Sequence, residues 1–394
     1  MGSTILPAVM LIALLLGGCV SQWAPPGPPV MTPVETADTF VMPDGVSLPY
    51  RAWLPGDGGG GAARGPTARP GQEAAANGGA AEGKAGSGAM PGAGMTSGGT
   101  PKAGMARAGM ARGPMARQRV SARPVAVVLA LHGMNDSRDA WEIPGPEYAA
   151  AGIAVYAPDQ RGFGATPSRG LWPGGGGLVD DARVMARLLR ARHPGIPLYL
   201  MGESMGAAVL MVLATSTAAP DVDGYVLSAP AVWGRAKMNF VLRGLLWTAS
   251  RTIPGLVLEN RGYVKITASD NRAALIRLST DPLTLRGTRV DAVRGLVDLM
   301  DAALAAAPVF HARALFLYGG KDELVPERAT AATWRALPAE GPRRAYYPDR
   351  YHLAMRDLGR GAVIADVIAW MKNPAAPLAS GADRAAEAWV KTVE

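Results

Sequence analysis

Short apolar runs alternate with amphipathic segments over most of the chain, and this pattern is the main guide to its structure. Residues 125–131 form an unbroken run of valine, alanine and leucine, which is typical of a strand buried on both faces. Residues 178–192 and 328–337 instead place apolar side chains at helical spacing. Further strand-like runs lie at 153–157, 198–201, 225–227, 314–318 and 344–347, and a strand pair within 39–54 turns at Pro43-Asp44-Gly45. Because strands alternate with helices, we expect an α/β fold with a mostly parallel central sheet and helices on both faces.

The sequence Gly202-Glu203-Ser204-Met205-Gly206 separates the strand-like run 198–201 from a helix-like segment at 207–214. A serine in G-x-S-x-G between a strand and a helix is typical of the nucleophile elbow of α/β-hydrolases. The glycines permit a sharp turn, which exposes the Ser204 hydroxyl at the carboxyl end of the strand. The pattern predicts hydrolysis of an ester, amide or similar acyl bond through a covalent serine intermediate. The alternative is a tight Gly-Ser turn without chemistry.

A serine nucleophile requires a base, and in α/β-hydrolases the chain order is serine, acid, histidine. The chain has four histidines. His352 follows the last predicted strand and precedes a helix at 362–371, so it is the predicted base; the alternative is an exposed loop histidine. The other three lie before Ser204 or at the wrong end of a strand: His132, His193 and His311.

The predicted acid is Asp322, which follows the strand 314–318 and a pair of glycines. A carboxylate just beyond the carboxyl end of this strand is well placed to reach His352. Glu323 is a close rival and Asp349 a more distant one. The alternative is a solvated charge in a loop.

Two backbone N–H groups are needed to stabilise the oxyanion of an acyl-transfer intermediate. One is expected from Met205, the residue after the nucleophile. The other is expected from Met134, in the loop after the strand 125–131, where Gly133 allows the turn. His132 is then structural and is expected to form a hydrogen bond within this loop.

The loop 159–166 follows the next strand and is interpreted as a brace for its neighbours; an anion-binding loop is the alternative. The sequence contains no metal-ligand cluster, phosphate loop or dinucleotide-binding motif. We therefore expect no cofactor, no metal and no nucleic-acid partner.

Residues 231–308 interrupt the alternation and are predicted to be mostly helical. This insertion lies where α/β-hydrolases carry a cap over the active site. One helix has an apolar stripe with basic residues around it, formed by Met238, Val241, Leu242, Leu245, Leu246 and Ala249. The stripe is either a lid face that meets acyl chains or a membrane, or a helix face packed on the core.

The N-terminal region is predicted to be a signal peptide, residues 1–18, with an apolar core at 5–16. Its last residues, Leu16-Gly17-Gly18-Cys19, resemble a bacterial lipobox, which implies cleavage before Cys19 and lipid attachment to its sulfur. Cys19 is the only cysteine, so no disulfide is possible. An ordinary apolar N-terminus is the alternative. Residues 19–34 are proline-rich and are expected to form a tether.

Most of the net charge of +8 lies in one low-complexity stretch at 56–119. It consists almost wholly of Gly, Ala, Pro, Arg and Met and is expected to be a disordered insertion within an α/β-hydrolase domain at 35–373. A tolerated loop expansion is favoured over an electrostatic contact with anionic lipid or polysaccharide. Residues 374–394 are expected to be a C-terminal tail.

Together these segments resemble the monoacylglycerol lipase and lysophospholipase branch of the α/β-hydrolases, which is grouped with serine aminopeptidase-like enzymes. The resemblance covers about residues 35–55 and 120–372. It implies a triad of Ser204, Asp322 and His352 and a cap that shapes an acyl-chain site. The matching segments are His132-Gly133, 159–166, 202–206, Ser228-Ala229-Pro230, Asp281-Pro282-Leu283, Gly320-Lys321-Asp322 and His352.

The expected protein is therefore a serine hydrolase of lipid carboxylic esters, such as monoacylglycerols or lysophospholipids. It is expected at the bacterial cell envelope, on the periplasmic or outer-membrane side, and anchored through Cys19. A peptidase or non-lipid esterase of the same fold is one alternative. A non-catalytic envelope lipoprotein that keeps the fold for binding is another.

Overall fold

A nine-stranded sheet forms the centre of the protein in a computed structural model that describes residues 21–56, 123–259 and 266–393. The strands, in chain order, are Val34–Glu35 (β1), Thr39–Val41 (β2), Ser47–Trp53 (β3), Ala126–Leu131 (β4), Ile153–Pro158 (β5), Leu198–Glu203 (β6), Gly224–Ser228 (β7), Val257–Glu259 (β8), Gly287–Arg289 (β9), Ala314–Gly319 (β10) and Pro342–Tyr347 (β11). In the sheet they lie in the order β1-β2-β3-β5-β4-β6-β7-β10-β11, and β8 and β9 form a separate ribbon. The first three strands are antiparallel and the other six are parallel to one another, which confirms the predicted mostly parallel sheet.

Strands β4 to β7 and β10 bury every residue. The reason is that helices cover both faces of the sheet, so apolar side chains are needed on each side. In β4, Val127 and Leu129 enter one hydrophobic cluster, whereas Val128 and Ala130 enter the other. Because these strands run parallel, their carboxyl ends share one edge of the sheet. The loops at that edge carry the predicted site residues Met134, Ser204, Met205, Asp322 and His352.

The helices are Pro144–Ala150 (α1), Gly175–Arg192 (α2), Met205–Ala214 (α3), Phe240–Thr252 (α4), Arg272–Thr280 (α5), Val290–Ala306 (α6), Glu327–Ala336 (α7), Arg360–Lys372 (α8) and Ala382–Thr392 (α9). Helices α2, α3 and α6 pack together against one face of the sheet, and α1 and α8 cover the other. In the described part of the chain, none of these helices has the length and apolarity that a bilayer span requires.

The inserted region 231–308 contains helices, as predicted, but it is not a uniform cap. Helix α6 packs on α2 and α3, because Leu299 and Ala303 are buried in the core cluster. It therefore belongs to the helical layer of the domain. The β8–β9 ribbon was not expected from the sequence.

The apolar stripe predicted at 238–249, most of which lies on helix α4, is exposed at three of its six residues. Val241 is 60% exposed and Leu245 is 64% exposed, whereas Leu246 and Ala249 are half-buried. The interpretation of this stripe as a face packed on the core is therefore wrong for Val241, Leu242 and Leu245.

The C-terminal residues do not form a simple tail. Helix α9 packs on β11, where the Trp389 ring stacks on Tyr346 with centroids 4.7 Å apart and an interplanar angle of 11°. Trp389 also meets Trp334 edge to face. These contacts bury the aromatic ring and correct the expectation of a tail at 374–394.

The start of the described chain is likewise held by the domain. The Gln22 N–H donates to Asp291 Oδ2 at 3.1 Å, and the Ala24 N–H donates to the Trp172 carbonyl at 2.9 Å. The described part of the 19–34 segment is thus bound to the domain at these residues, which corrects the expectation of a tether. The predicted signal peptide, Cys19 and nearly all of the 56–119 insertion lie outside the described residues.

Candidate active site

Ser204 lies on a sharp turn between β6 and α3. Its backbone has φ 53° and ψ −111°, a left-handed conformation that is costly for a residue with a Cβ. The surroundings hold it in place: the Ser204 N–H donates to the Ser228 carbonyl at 2.9 Å, and its own carbonyl accepts from the Ala231 N–H at 3.0 Å. The strand–turn–helix context that the sequence predicted is therefore present, with Ser204 at its tip.

The two glycines of the motif are required by close packing. A Cβ on Gly202 would lie 2.5 Å from the Ala207 backbone nitrogen, and a Cβ on Gly206 would lie 2.5 Å from the Leu131 carbonyl oxygen. Both distances are too short for a side chain to occupy without moving backbone atoms. The glycines therefore let α3 approach β6 and the end of β4.

Asp322 and His352 form a direct pair at the ends of β10 and β11. His352 Nδ1 lies 2.7 Å from Asp322 Oδ2, and both side chains are almost fully buried. The other carboxylate oxygen, Oδ1, accepts from the Leu324 and Val325 N–H groups at 2.8 and 2.9 Å. These bonds orient the carboxylate, which in turn orients the imidazole and leaves Nε2 available for proton transfer.

The rival acids are placed elsewhere. Glu323 Oε2 accepts from the Thr267 N–H at 2.7 Å, and Asp349 is an exposed side chain 3.5 Å from Lys321. Among the three carboxylates weighed from the sequence, Asp322 is the one that contacts His352.

Burial of His352 disfavours its charged form and acts to lower its pKa. The Asp322 carboxylate raises the pKa, both by its negative charge and by its hydrogen bond, and the negative charge of Glu203 raises it further. These effects outweigh burial, so the pKa of His352 lies above its ordinary value of 6.5. A raised pKa makes this histidine a stronger base.

The loop after β4 lies beside the nucleophile. A Cβ on Gly133 would lie 3.4 Å from the Ser204 Cβ. Met205 is the first residue of α3, so its N–H has no partner within the helix. Among the described residues, neither the Met134 N–H nor the Met205 N–H donates a hydrogen bond to a backbone carbonyl. Both are free to serve as the predicted oxyanion donors.

His132 is structural, as the sequence suggested. Its Nε2 accepts from the Gln160 N–H at 3.0 Å, so Nδ1 carries the proton and donates to the Gly133 carbonyl at 2.8 Å. Burial lowers the pKa of His132, which keeps the ring neutral and this network intact.

The loop 159–166 acts as a brace. Asp159 accepts from the Arg138 backbone and guanidinium, each at 2.8 Å, and from the Ala165 N–H at 2.8 Å. The carboxylate thus ties this loop to the segment after β4. The favoured interpretation of the loop as a brace agrees with these contacts.

Sequence reasoning missed Arg356, which joins three loops of the site. Its guanidinium lies 2.7 Å from Asp136 Oδ2, in the loop after β4, and 2.5 Å from Glu203 Oε1, beside the nucleophile. All three side chains are buried. Arg356 lies four residues after His352, so it links the loop after β4, the turn at Ser204 and the loop that carries His352. The sequence does contain one indication of this contact. Glu203 lies at the end of a buried strand, and a buried carboxylate requires a cationic partner.

Comparisons with known proteins agree with this fold. The family model described as Hydrolase_4, serine aminopeptidase, S33, matches residues 122–359. A monoacylglycerol lipase of Mycolicibacterium smegmatis is 26% identical over 251 residues, covering 63% of this chain and 88% of the relative. Phospholipase YtpA of Bacillus subtilis is 24% identical over 232 residues, covering 58% of this chain and 88% of the relative.

Solved structures show the same fold. A monoacylglycerol lipase of Paleococcus ferrophilus has a TM-score of 0.54 at 23% identity, covering 62% of this chain and 93% of that one. A soluble variant of the Saccharomyces cerevisiae monoglyceride lipase, in complex with a substrate analogue, has a TM-score of 0.59 at 16% identity, covering 88% of this chain and 98% of that one. The fold and the site define a serine hydrolase of the α/β-hydrolase class. Within that class, the chain belongs to the serine aminopeptidase S33 family.

Proposed function

We propose that this protein hydrolyses carboxylic esters of lipids, of the monoacylglycerol or lysophospholipid type, with Ser204 as nucleophile, His352 as base and Asp322 as orienting acid. The observation that carries the proposal is the buried His352–Asp322 pair at the same sheet edge as the strained Ser204 turn. No hydrogen bond joins Ser204 Oγ to His352 in the described residues. Catalytic hydrogen bonds of this kind are often long in the absence of substrate.

In the first half of the reaction, Ser204 Oγ attacks the ester carbonyl carbon while His352 Nε2 accepts the hydroxyl proton. The Met134 and Met205 N–H groups stabilise the negative charge on the carbonyl oxygen. When the intermediate collapses, the alcohol leaves with the proton from His352, and the acyl group remains on Ser204. A water molecule then gives its proton to His352 and attacks this acyl-enzyme, which releases the carboxylic acid and restores the serine.

The names of the relatives support lipid esters as the substrate class, because one is a monoacylglycerol lipase and another a phospholipase. We expect kcat/KM to rise from acetyl to long-chain glycerol monoesters, measured with a series of acyl lengths. A preference for acetyl esters would instead indicate a non-lipid esterase. Faster turnover of aminoacyl amides than of any ester would indicate a peptidase.

The activity is expected to depend on pH through His352. The base must be neutral, so kcat/KM should fall as the pH drops through a value above 6.5, because Asp322 and Glu203 raise the pKa of His352. In an Asp322→Asn variant the residual activity should fall at a lower pH, because the Asp322 charge no longer opposes burial, which lowers the pKa of His352. Glu323→Gln is the matched control and should leave the profile unchanged. If kcat/KM fell at the same pH in Asp322→Asn and in the parent, the assignment of Asp322 as the group that orients His352 would be contradicted.

The proposal also places the protein at the bacterial cell envelope, lipid-anchored through Cys19 on the periplasmic or outer-membrane side. Support comes from the lipobox-like Leu16-Gly17-Gly18-Cys19 sequence and from the absence of any other cysteine in the chain. Several acyl chains on one residue would give stable anchoring. Radiolabelled palmitate should enter the parent protein and not a Cys19→Ser variant.

A further inference from the structure

His352 lies in the loop 348–359 between β11 and α8, and this loop is bound to the inserted region. Four consecutive residues of the inserted region, 268–271, each form a hydrogen bond with the loop. We call these four residues the bridging segment. It lies directly ahead of helix α5. Its partners all follow His352 closely in the chain: Leu353, Arg356, Asp357 and Leu358.

Asp357 supplies the buried carboxylate of this contact. It is fully buried; Oδ1 accepts from the Ser269 hydroxyl at 2.6 Å, and Oδ2 accepts from the Tyr351 N–H at 2.8 Å. A buried carboxylate is costly unless its oxygens are hydrogen-bonded, so both donors are needed. Because Tyr351 directly precedes His352, Asp357 ties the backbone on that side of the imidazole to Ser269.

The backbone on the other side of His352 is held directly by the bridging segment. The Leu353 N–H donates to the Ala268 carbonyl at 2.9 Å. Further along the loop, the Asn271 Nδ2 group donates to the Arg356 carbonyl at 2.9 Å. Both neighbours of His352 therefore depend on the inserted region for their position.

The His352 imidazole has little freedom to compensate for a shift of this backbone. It is almost fully buried, and its Nδ1 lies 2.7 Å from Asp322 Oδ2. The Asp322 carboxylate is held on a different loop, by N–H groups that follow β10. The separation of base and acid is thus the separation of two loops, and the bridging segment holds one of them. A displacement of about 1 Å at such a group can lower a rate about 100-fold.

We propose that Ser269 and Asp357 are positioning residues, which hold the loop of the proposed base at the correct distance from its orienting carboxylate. This rests on the proposed function and deepens it, because it gives the inserted region a part in the reaction. The two residues act through the backbone of Tyr351 and contact neither the substrate nor the reacting atoms. The inserted region then fixes the base in addition to covering the sheet edge.

The first test measures the titration of His352 by NMR in the full chain labelled with ¹⁵N-histidine. Ser269→Ala changes no charge, and the main charges that act on His352 are those of Asp322, Glu203 and Arg356. If the imidazole moves away from Asp322, burial lowers its pKa, so His352 should titrate at a lower pH in this variant than in the parent. His352→Gln identifies the signal among the four histidines.

Ser250→Ala is the matched control. Ser250 is 3% exposed and Ser269 is 2% exposed, but the Ser250 hydroxyl donates to the Trp247 carbonyl within helix α4. In this control His352 should titrate as it does in the parent. Titration at the parental pH in Ser269→Ala, or an equal fall in Ser250→Ala, would overturn the proposal. Urea unfolding checks that both variants are folded.

A double variant, Ser269→Ala with Asp357→Leu, serves if Ser269→Ala alone does not fold. Replacing both partners of a buried hydrogen bond by apolar groups costs less than leaving one partner unpaired. The charge of Asp357 is not among the main charges that act on His352, and its charged neighbours Asp270 and Arg350 stay in place. His352 should again titrate at a lower pH than in the parent; titration at the parental pH would overturn the proposal.

The second test separates positioning from substrate binding. With a lipid ester, Ser269→Ala should lower kcat about tenfold and leave KM within about twofold of the parental value. An unchanged kcat with a higher KM would assign Ser269 to substrate binding and overturn the proposal. The NMR titration needs no substrate, so a failure of the proposed activity is separable from a failure of the proposed positioning.

Discussion

Ser204→Ala is expected to lower kcat for a lipid ester by about 10⁴- to 10⁶-fold. The variant lacks the Ser204 hydroxyl, which is the proposed nucleophile, so no acyl-enzyme can form at this residue. The residual rate would come from the oxyanion donors and substrate binding alone. The fold should be unaffected, because the Ser204 backbone, not its hydroxyl, makes the contacts to Ser228 and Ala231.

A matched control is available on the neighbouring strand. Ser228 is buried at the end of β7, and its hydroxyl has no hydrogen-bond partner among the described residues. Ser228→Ala should keep kcat within the same order of magnitude as the parent. Hydrolysis at the parental rate by Ser204→Ala, or loss of activity in Ser228→Ala alone, would refute the assigned nucleophile.

Arg356→Met is expected to destabilise the fold by about 3–5 kcal/mol, because it leaves the buried carboxylates of Asp136 and Glu203 without a cation. It should also lower kcat about 100-fold, since the loop after β4 and the turn at Ser204 lose the group that fixes their relative position. Urea unfolding gives the first quantity, and steady-state kinetics at saturating substrate give the second.

Arg360→Met is the control for this prediction. Arg360 pairs with Glu147 at 2.7 Å, but both side chains are about one-third exposed, so its loss should cost about 0–1 kcal/mol and little activity. Adding Glu203→Gln to Arg356→Met should recover part of the stability by removing one unpaired charge. If Arg356→Met and Arg360→Met behaved alike, Arg356 would have no special role in holding the site.

The sheet could be predicted because its strands are buried on both faces. The run 125–131 predicted β4, and the run 198–201 predicted β6, which continues to Glu203. The β8–β9 ribbon escaped prediction because its strands have three residues each and contact the sheet little. Helix α9 escaped prediction because the residues it packs on are distant in sequence, as Tyr346 is from Trp389, whose ring stacks on it.

The site was predictable where chain order constrains it. Chain order excluded His132 and His193, and a position at the wrong end of a strand excluded His311. His352 remained, and the structure places it against Asp322. The order cannot separate Asp322 from Glu323, which are adjacent; the turn that binds Asp322 Oδ1 does so.

The sequence indicates that Glu203 needs a cationic partner, but it does not identify that partner. Glu203 and Arg356 are separated by 153 positions, and their contact depends on how three loops meet at the sheet edge. Similarly, periodicity predicted that α4 is amphipathic, but it carries no information on whether another surface covers the apolar stripe.

The most direct test of the central claim is reaction of the purified protein with a fluorophosphonate, followed by peptide mass spectrometry. An activated serine in an α/β-hydrolase reacts covalently with such probes because its base removes the hydroxyl proton. We predict an adduct on Ser204 that is absent from Ser204→Ala and strongly reduced in His352→Ala. A folded protein that forms no adduct, or forms one on a different serine, would contradict the assignment of Ser204, His352 and Asp322 as the catalytic triad.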